Sequence, residues 1–251
     1  MAKIRGGSTL LSESVIQIIE KPKLKDPILI EGLPGLGFVA NIAALHLIKS
    51  LRAIKFAEIY SPFFQNLAIL TERGEVRFPM NELYYHKTEN FPHDLIILYG
   101  NTQALTTYGQ YELCGQILDV TQEFGCRSVF CIGGLRSERV ASVPELYCAA
   151  TDLETLNKAL VKKIKKIRGR IFGAAGILIG LARLRGMHGL CLLVETPGSY
   201  PDAIAARSVL EGLCDILGLK VDLDQLEQSA EKTRKILESF SGWKEKEQSG
   251  F

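Results

Sequence analysis

Residues 27–51 read PILIEGLPGLGFVANIAALHLIKSL, and the order of elements in this stretch indicates the fold class of the chain. Its first five residues form an apolar run, which predicts a buried strand over 27–31. Three glycines follow within six positions, a composition typical of a tight turn. From Phe38 onward, apolar residues recur at helical spacing and predict a helix over 38–51. The stretch therefore predicts a strand, a glycine turn and a helix, in that order.

The same alternation continues along the chain. Short apolar runs predict strands around 56–60, 94–100, 128–134, 146–150 and 189–195, and residues 67–87 resemble a hairpin with its turn at 73–75. Helical patterns follow at 108–124, 153–167, 173–185 and 201–218. Apolar strands separated by helices indicate an α/β domain around a largely parallel sheet flanked by helices. We expect one such domain over residues 1–220.

A helical extension is predicted after this domain, over 221–240. Asp222 followed by Gln225 resembles a capping box at its start. Its apolar residues alternate at spacings of three and four, the pattern of a contact seam, and include Leu226, Ala230, Leu237 and Phe240. This seam either binds a partner, together with Phe251, or packs on the chain's own domain. Residues 241–251 are mostly polar, and we expect a flexible tail there.

The loops that follow the predicted strands carry most of the candidate polar residues. In open α/β sheets, ligands bind at the carboxyl ends of the strands, so the loops after 31, 100, 134 and 195 are expected to converge. These loops contain Glu31, Asn101, Gln103, Arg136, Arg139, Glu195, Ser199 and Asp202. As ligand-binding residues, the sequence favours Gly35, Gly37, Asn101, Gln103, Arg136 and Glu195.

The glycine turn itself has two interpretations. Its order, G-x-x-G-x-G followed by Phe38, differs from that of a dinucleotide fold and from that of a nucleotide-triphosphate loop, which needs a Lys. Backbone N–H groups at the start of the next helix could hold an anion. Alternatively, glycines are needed there because a tight strand-to-helix crossing leaves no room for side chains. Pro34 lacks an N–H group and so reduces the number of donors.

No catalytic residue is predicted. The sequence contains no G-x-S-x-G elbow, and its four histidines lie at scattered positions, of which His188 precedes a strand at the end opposite the expected site. Glu31 and Glu195 both end apolar strands, so a pair of carboxylates acting in acid-base chemistry stays open as a hypothesis.

Composition narrows the classes of partner. Lys and Arg number 30 against 28 Asp and Glu, a net charge of +2 that gives no reason to expect nucleic acid. The six cysteines form no C-x-x-C pair and lie mostly in apolar segments, so we expect reduced thiols, no metal site and a cytoplasmic location. No cofactor is expected. The longest apolar stretch, 171–182, is shorter than the roughly 20 residues that span a membrane.

One segment departs from this even charge balance. Residues 158–170, KALVKKIKKIRGR, hold seven basic residues in thirteen positions. Leu160, Val161, Ile164 and Ile167 recur within it at helical spacing, so the charges are predicted to form the solvated face of an amphipathic helix. A surface for phosphate or an acidic partner is the alternative.

Four stretches together resemble the proteasome assembly chaperone family, in particular the archaeal and bacterial relatives of its second eukaryotic subunit. They are ILIEGLPGLGFVAN (28–41), LIILYGNTQ (95–103), YGQYELCGQILDVTQEFGCRSVFCIGGL (108–135) and GAAGILIGLARLRGMHGLCLLVETPGSYPDAIAARSVLEGLCDILGLKVDLDQLE (173–227). The resemblance implies a phosphorylase/hydrolase-like α/β fold that binds proteins and does not turn over a substrate. Its implied partners are proteasome α-subunits or a paralogous chaperone, bound by a homo-oligomer.

Some relatives in that family dock through a C-terminal hydrophobic-Tyr-X tail, whereas this chain ends Gln-Ser-Gly-Phe. The departure leaves two alternatives open: a Phe-ended tail that still contacts a partner, or a paralogue that carries the docking tail while this chain is the partner without it. A second hypothesis is an enzyme of phosphorylase-like fold that binds a nucleoside or phosphate. It would use Gly35, Gly37, Asn101 and Arg136 for the anion and Glu195 for the ribose or a proton.

Overall fold

The computed structural model describes residues 12–70, 73–138, 141–198, 201–226, 228–231 and 235. Its strands are β1 (Val15–Ile18), β2 (Ile28–Gly32), β3 (Ile54–Tyr60), β4 (Ile69–Leu70), β5 (Val76–Arg77), β6 (Asn81–His86), β7 (Leu95–Gly100), β8 (Ser128–Arg136), β9 (Leu146–Ala150), β10 (Lys165–Lys166) and β11 (His188–Thr196). Its α-helices are α1 (Val39–Ser50), α2 (Thr107–Glu123), α3 (Leu153–Leu160), α4 (Gly173–Leu184) and α5 (Ala203–Leu217). A 3-10 turn over Leu36–Phe38 precedes α1.

Over these residues, nine strands form one sheet in the order β1-β3-β6-β7-β2-β8-β11-β9-β10. The four central strands, β7-β2-β8-β11, are mutually parallel. On one side of them β6, β3 and β1 pair antiparallel, and on the other side β9 pairs antiparallel with β11. β4 and β5 form the separate hairpin that the sequence predicts around 73–75. The predicted α/β fold with a parallel centre is confirmed.

Helices cover both faces of the sheet, and the alternation of side chains along β2 shows how. Ile28 and Ile30 pack into a core with α1, α3 and α5. Leu29 points to the opposite face, into a core with α2 and α4. All three side chains are almost fully buried because both faces of this central strand are covered. The apolar run in the sequence follows from that double burial.

Helix α1 is buried on all sides over its first nine residues, although apolar residues at helical spacing are typical of a helix with one buried face. Every residue from Val39 to Leu47 is buried. The outer side is covered by the segment that follows α5, where His46 Nε2 lies 2.6 Å from the carbonyl oxygen of Asp222. Small alanines at positions 40, 43 and 44 allow this close packing. The 38–51 helix is thus a central core element and not a surface helix.

The helix predicted over 153–167 is wrong in its second half. α3 ends at Leu160, and Lys163 adopts the left-handed conformation with φ +63°. The chain then turns so that Ile164 is buried and the N–H of Ile167 donates to the carbonyl of Cys148. The basic run is therefore divided between a helix, the edge strand β10 and the segment before α4, because pairing with β9 outweighs the helical pattern.

The extension after α5 also differs from its predicted start. Residues 222–225 are not helical, and the Asp222 carboxylate accepts from the N–H of Asp224, not from that of Gln225. Helical conformation begins at Leu226. Leu226 and Ala230, 1% and 8% exposed, pack into the core beside α1 and α5. Of the two interpretations of the seam, the burial of these two residues favours a helix that packs on its own domain. The other predicted partner-binding residues, Leu237, Phe240 and Phe251, lie outside the described residues.

Candidate functional site

The glycine turn brings the ends of two central strands together. Gly37 adopts φ +64°, and a Cβ added there would lie 2.8 Å from Thr196 Oγ1 at the end of β11. The N–H of Phe38 donates to the carbonyl of Gly35 and closes the 3-10 turn before α1. The predicted strand-turn-helix is confirmed, and the glycine at position 37 is required by backbone conformation and by close packing.

A cavity of about 480 Å³ opens at the carboxyl ends of β2 and β8. Its walls come from the glycine turn, from the end of β8 and from the segment that leads into α4. Such a position is where open parallel sheets bind ligands. Apolar side chains dominate the lining, which also contains four polar ones, Glu31, Gln103, Arg136 and Arg170.

Gln103 joins two walls of this cavity. Its side-chain nitrogen donates to the carbonyl of Pro34 at 2.5 Å, and its side-chain oxygen accepts from the N–H of Ala174 at 3.1 Å. Gln110 also donates to that oxygen. The amide of Gln103 is therefore used to fix the glycine turn against the start of α4. The sequence predicts Gln103 as a ligand-binding residue, and in the structure its amide is used in bonds that shape the cavity.

Glu31 lies at the inner end of the cavity and is 2% exposed. Its Oε1 accepts from the N–H of Leu33 at 2.9 Å, whereas no N–H or O–H donor of the described residues reaches Oε2. Burial raises the pKa of the carboxyl group to about 7, although the bond from Leu33 and the facing Cys131 thiol act in the opposite direction. A buried carboxyl oxygen that no N–H or O–H donor reaches is unusual, because such groups are normally satisfied.

The titratable groups that lie close to Glu31 are thiols. Cys114 from α2, Cys131 from β8 and Cys191 from β11 are buried nearby, and burial together with the Glu31 charge raises the pKa of each thiol. Thiols with a raised pKa stay protonated and unreactive at neutral pH. The positive charges in the cavity lining come from Arg136 and Arg170.

Arg136 and Arg170 are exposed at the cavity, and neither forms an ion pair with another described residue. Phe172, 80% exposed, stands beside them. The sequence predicts Arg136 from its position after β8. It does not single out Arg170 or Phe172, although Arg170 ends the basic run. The sequence carries no signal for Arg170, because its position depends on the turn at Lys163, which only the structure shows.

Three predicted ligand residues do not line this cavity. Gly37 faces Thr196, and Asn101 is exposed and accepts a hydrogen bond from the N–H of Met80. Glu195 lies on β11 toward the β9 side, 3.4 Å from the hydroxyl of Tyr147. Asp202 caps α5 by accepting from the N–H of Ala205. Arg139 and Ser199, which the loops also contain, lie outside the described residues.

The hypothesis of a Glu31–Glu195 carboxylate pair is wrong. Glu31 pairs in register with Cys131, which pairs with Cys191, so Glu195 lies two strands away and four residues farther along β11. At the spacings of a sheet this is about 10 Å across the strands and about 13 Å along them. Two carboxylates so far apart cannot act on one bond.

Within the described ranges, no group of three or more His, Cys, Asp or Glu side chains is arranged to hold a metal ion. None of the helices in the described parts of the chain has both the length and the apolar character needed to cross a membrane.

The fold belongs to a known class of protein. The model of the PAC2 family matches residues 29–241, and the chain belongs to this family. The predicted resemblance to the proteasome assembly chaperones is thereby confirmed. Among its relatives is the protein MJ1210 of Methanocaldococcus jannaschii, which is 33% identical over 229 residues, covering 88% of this chain and 86% of the relative.

Two solved structures from Pyrococcus furiosus are similar over nearly their whole length. PbaB, described as an archaeal proteasome activator, is 39% identical with a TM-score of 0.82, and the match covers 92% of this chain and 100% of PbaB. PbaA, described as an archaeal homolog of proteasome-assembly chaperone, is 25% identical with a TM-score of 0.74, covering 94% and 99%.

Proposed function

We propose that this chain binds the proteasome or its α-subunits as a non-enzymatic activator or assembly chaperone, acting as a homo-oligomer or with a paralogous chaperone. The observation that carries this proposal is the full-length similarity to PbaB, at 39% identity and a TM-score of 0.82. PbaA, whose description names an assembly-chaperone homolog, adds support from a second relative.

The chemistry of the cavity supports binding over turnover. None of the described lining residues is a Ser, Thr, Cys, Lys or His, so the cavity wall offers no nucleophile paired with a base. The nearby thiols are buried, with raised pKa values. Glu31 alone could exchange a proton near neutral pH, and one such group without a partner is a weak basis for catalysis.

Exposed apolar side chains support a protein partner. At the start of α2, Leu105, Tyr108 and Tyr111 are 65%, 71% and 55% exposed. Tyr108 and Tyr111 are three positions apart and so lie on one helix face, where the ring of Tyr108 packs edge-on against Phe63. Exposed aromatic side chains that lie together are typical of surfaces that bind other proteins.

The test is the mass of the purified protein by light scattering, alone and after mixing with proteasome α-subunits from the same organism. We expect a defined oligomer of this chain and a larger complex in the mixture. The same titration with assembled proteasome and a fluorogenic peptide separates the two roles, because an activator raises peptide hydrolysis whereas an assembly chaperone acts only on free subunits.

Variants of two predicted ligand-binding residues provide the control. Arg136→Ala and Glu195→Ala are expected to leave the complex intact, because the proposal assigns no catalytic or docking role to either side chain. A mass that α-subunits and assembled proteasome both leave unchanged would contradict the proposal.

A further inference from the structure

The basic run over residues 158–170 is a feature to which the proposed function gives no role. The structure divides it between α3, the strand β10 and the segment before α4, and every Lys and Arg side chain in it is exposed. Among the described residues, β10 is the last strand on its side of the sheet. The run therefore forms a positively charged edge of the domain.

Three of the seven basic residues are neutralised by neighbouring carboxylates. These ion pairs are Lys158 with Glu154 at 3.2 Å, Lys162 with Asp215 at 2.7 Å and Lys165 with Glu145 at 2.5 Å. The other four form no ion pair with another described residue, and together they form what we call the basic edge: Lys163, Lys166, Arg168 and Arg170.

These four charges exceed the net charge of the whole chain, which is +2, so the rest of the chain is negatively charged on balance. Like charges that lie close together repel, and a negatively charged partner surface would remove that repulsion. The basic edge is therefore suited to an acidic partner.

Exposed apolar side chains beside the basic run favour a protein as that partner. Val161 and Phe172 are 76% and 80% exposed. Protein interfaces combine apolar and aromatic anchors with arginine, whereas nucleic-acid backbones are bound mainly through charge. A helix lying on a membrane needs a continuous apolar face, which α3 cannot supply across the run because it ends at Leu160.

We propose that the basic edge binds an acidic surface of a folded partner protein, with Phe172 as an apolar anchor beside it. Complementary charge raises the rate of encounter and fixes the orientation of the two proteins. The identity of this partner, a proteasome subunit, rests on the proposed function. A second copy of the chain is disfavoured at this position, because two basic edges repel each other.

The experiment compares the natural full chain with two triple variants that change the net charge equally. The first reverses three charges of the basic edge: Lys163→Glu, Lys166→Glu and Arg168→Glu. The matched control reverses three exposed lysines that follow β1 and β6, on the other side of the sheet: Lys21→Glu, Lys23→Glu and Lys87→Glu. Because both variants have the same net charge, a difference between them reports the position of the charges.

Binding of free α-subunits and of assembled proteasome is measured by light scattering, and binding of a fluorescent polyglutamate peptide by anisotropy, at about 50 and 150 mM salt. We expect the natural chain and the control to bind, more weakly at the higher salt. The basic-edge variant should bind at least about tenfold more weakly. Peptide binding that depends on the basic edge, without binding of either proteasome species, would contradict the proposed function and support the acidic partner.

The inference is overturned if the two variants bind the peptide equally, if they form the proteasome complex equally, or if the natural chain does not bind the peptide at the lower salt. Binding to a DNA duplex or to vesicles containing phosphatidylserine that is tighter than all of these interactions would also overturn it. Far-ultraviolet circular dichroism of each variant shows that a loss of binding is not a loss of fold.

Discussion

Glu31 Oε1 accepts a hydrogen bond from the backbone N–H of Leu33 at 2.9 Å, which ties a buried carboxyl group to the first turn after β2. The group thereby stays inside the protein even though its other oxygen lacks an N–H or O–H donor from the described residues. Burial raises its pKa from 4.5 to about 7, so the folded protein binds a proton that the unfolded chain releases.

This difference predicts a pH dependence of stability. Between pH 4.5 and 7 the folded state holds more protons than the unfolded state, so the free energy of unfolding falls as pH rises and levels off above about 7. The full effect is about 3 kcal/mol. We expect Glu31→Gln to lose this fall, as measured by urea unfolding at pH 4 and pH 8. Glu195→Gln should retain it, and parallel curves for Glu31→Gln and the natural chain would contradict the assignment.

A second prediction concerns the glycines of the turn before α1. Gly37→Ala places a Cβ 2.8 Å from Thr196 Oγ1 and forces alanine into φ +64°. We expect a loss of about 2–3 kcal/mol in the free energy of unfolding. Gly35→Ala, in the same turn, meets no atom within 4 Å and should change stability by less than about 1 kcal/mol. Equal losses from the two changes would show that the turn is not packed as described.

Gln103 is expected to contribute to stability through its bonds to the two walls. Gln103→Ala leaves the carbonyl of Pro34 and the N–H of Ala174 without this partner, which should cost about 2–3 kcal/mol. Asn101→Ala, two residues earlier and exposed, removes one hydrogen bond with Met80 and should cost about 1 kcal/mol or less. Thermal or denaturant unfolding measures both, and a smaller loss for Gln103→Ala would refute its bridging role.

The end of α3 can be tested with glycine. Lys163 has φ +63°, which glycine adopts without strain, so Lys163→Gly should stabilise the protein by about 0.5–1 kcal/mol. Lys158→Gly makes the same change inside the helix and should destabilise by about 1 kcal/mol. If the helix continued through 167, as the sequence alone predicts, both changes would destabilise the protein. That result would support a helix over 153–167 and contradict its end at Leu160.

The central elements could be predicted from the sequence because their burial is complete. β2, β7, β8 and β11 lie in the middle of the sheet, so each is an uninterrupted apolar run bounded by turns. The edges could not be predicted as well. β1 is half-buried and four residues long, so it carries little apolar signal. For β10, apolar residues continue at helical spacing past Leu160, so the sequence predicts a helix where the structure has a short strand.

The sequence predicts where the cavity lies better than it predicts which residues line it. Glu31 and Arg136 follow or end central strands, so the rule for parallel sheets places both at one edge. Arg170 and Phe172 come from a segment before α4 whose approach depends on the turn at Lys163, a tertiary feature. Glu195 satisfies the same positional rule but lies toward β9. The order of the strands in the sheet determines which strand-end residues line the cavity, and this order cannot be read from the sequence.

The strand β10 has a consequence for assembly. It is two residues long, Lys165 and Lys166, both exposed, and among the described residues it forms the last strand on its side of the sheet. Short edge strands that carry lysine are poor templates for pairing, because a further strand would have to bring its own backbone against ammonium groups. Copies of this chain are therefore protected from joining sheet to sheet at that side, and their association is expected through helical faces or at the β1 edge.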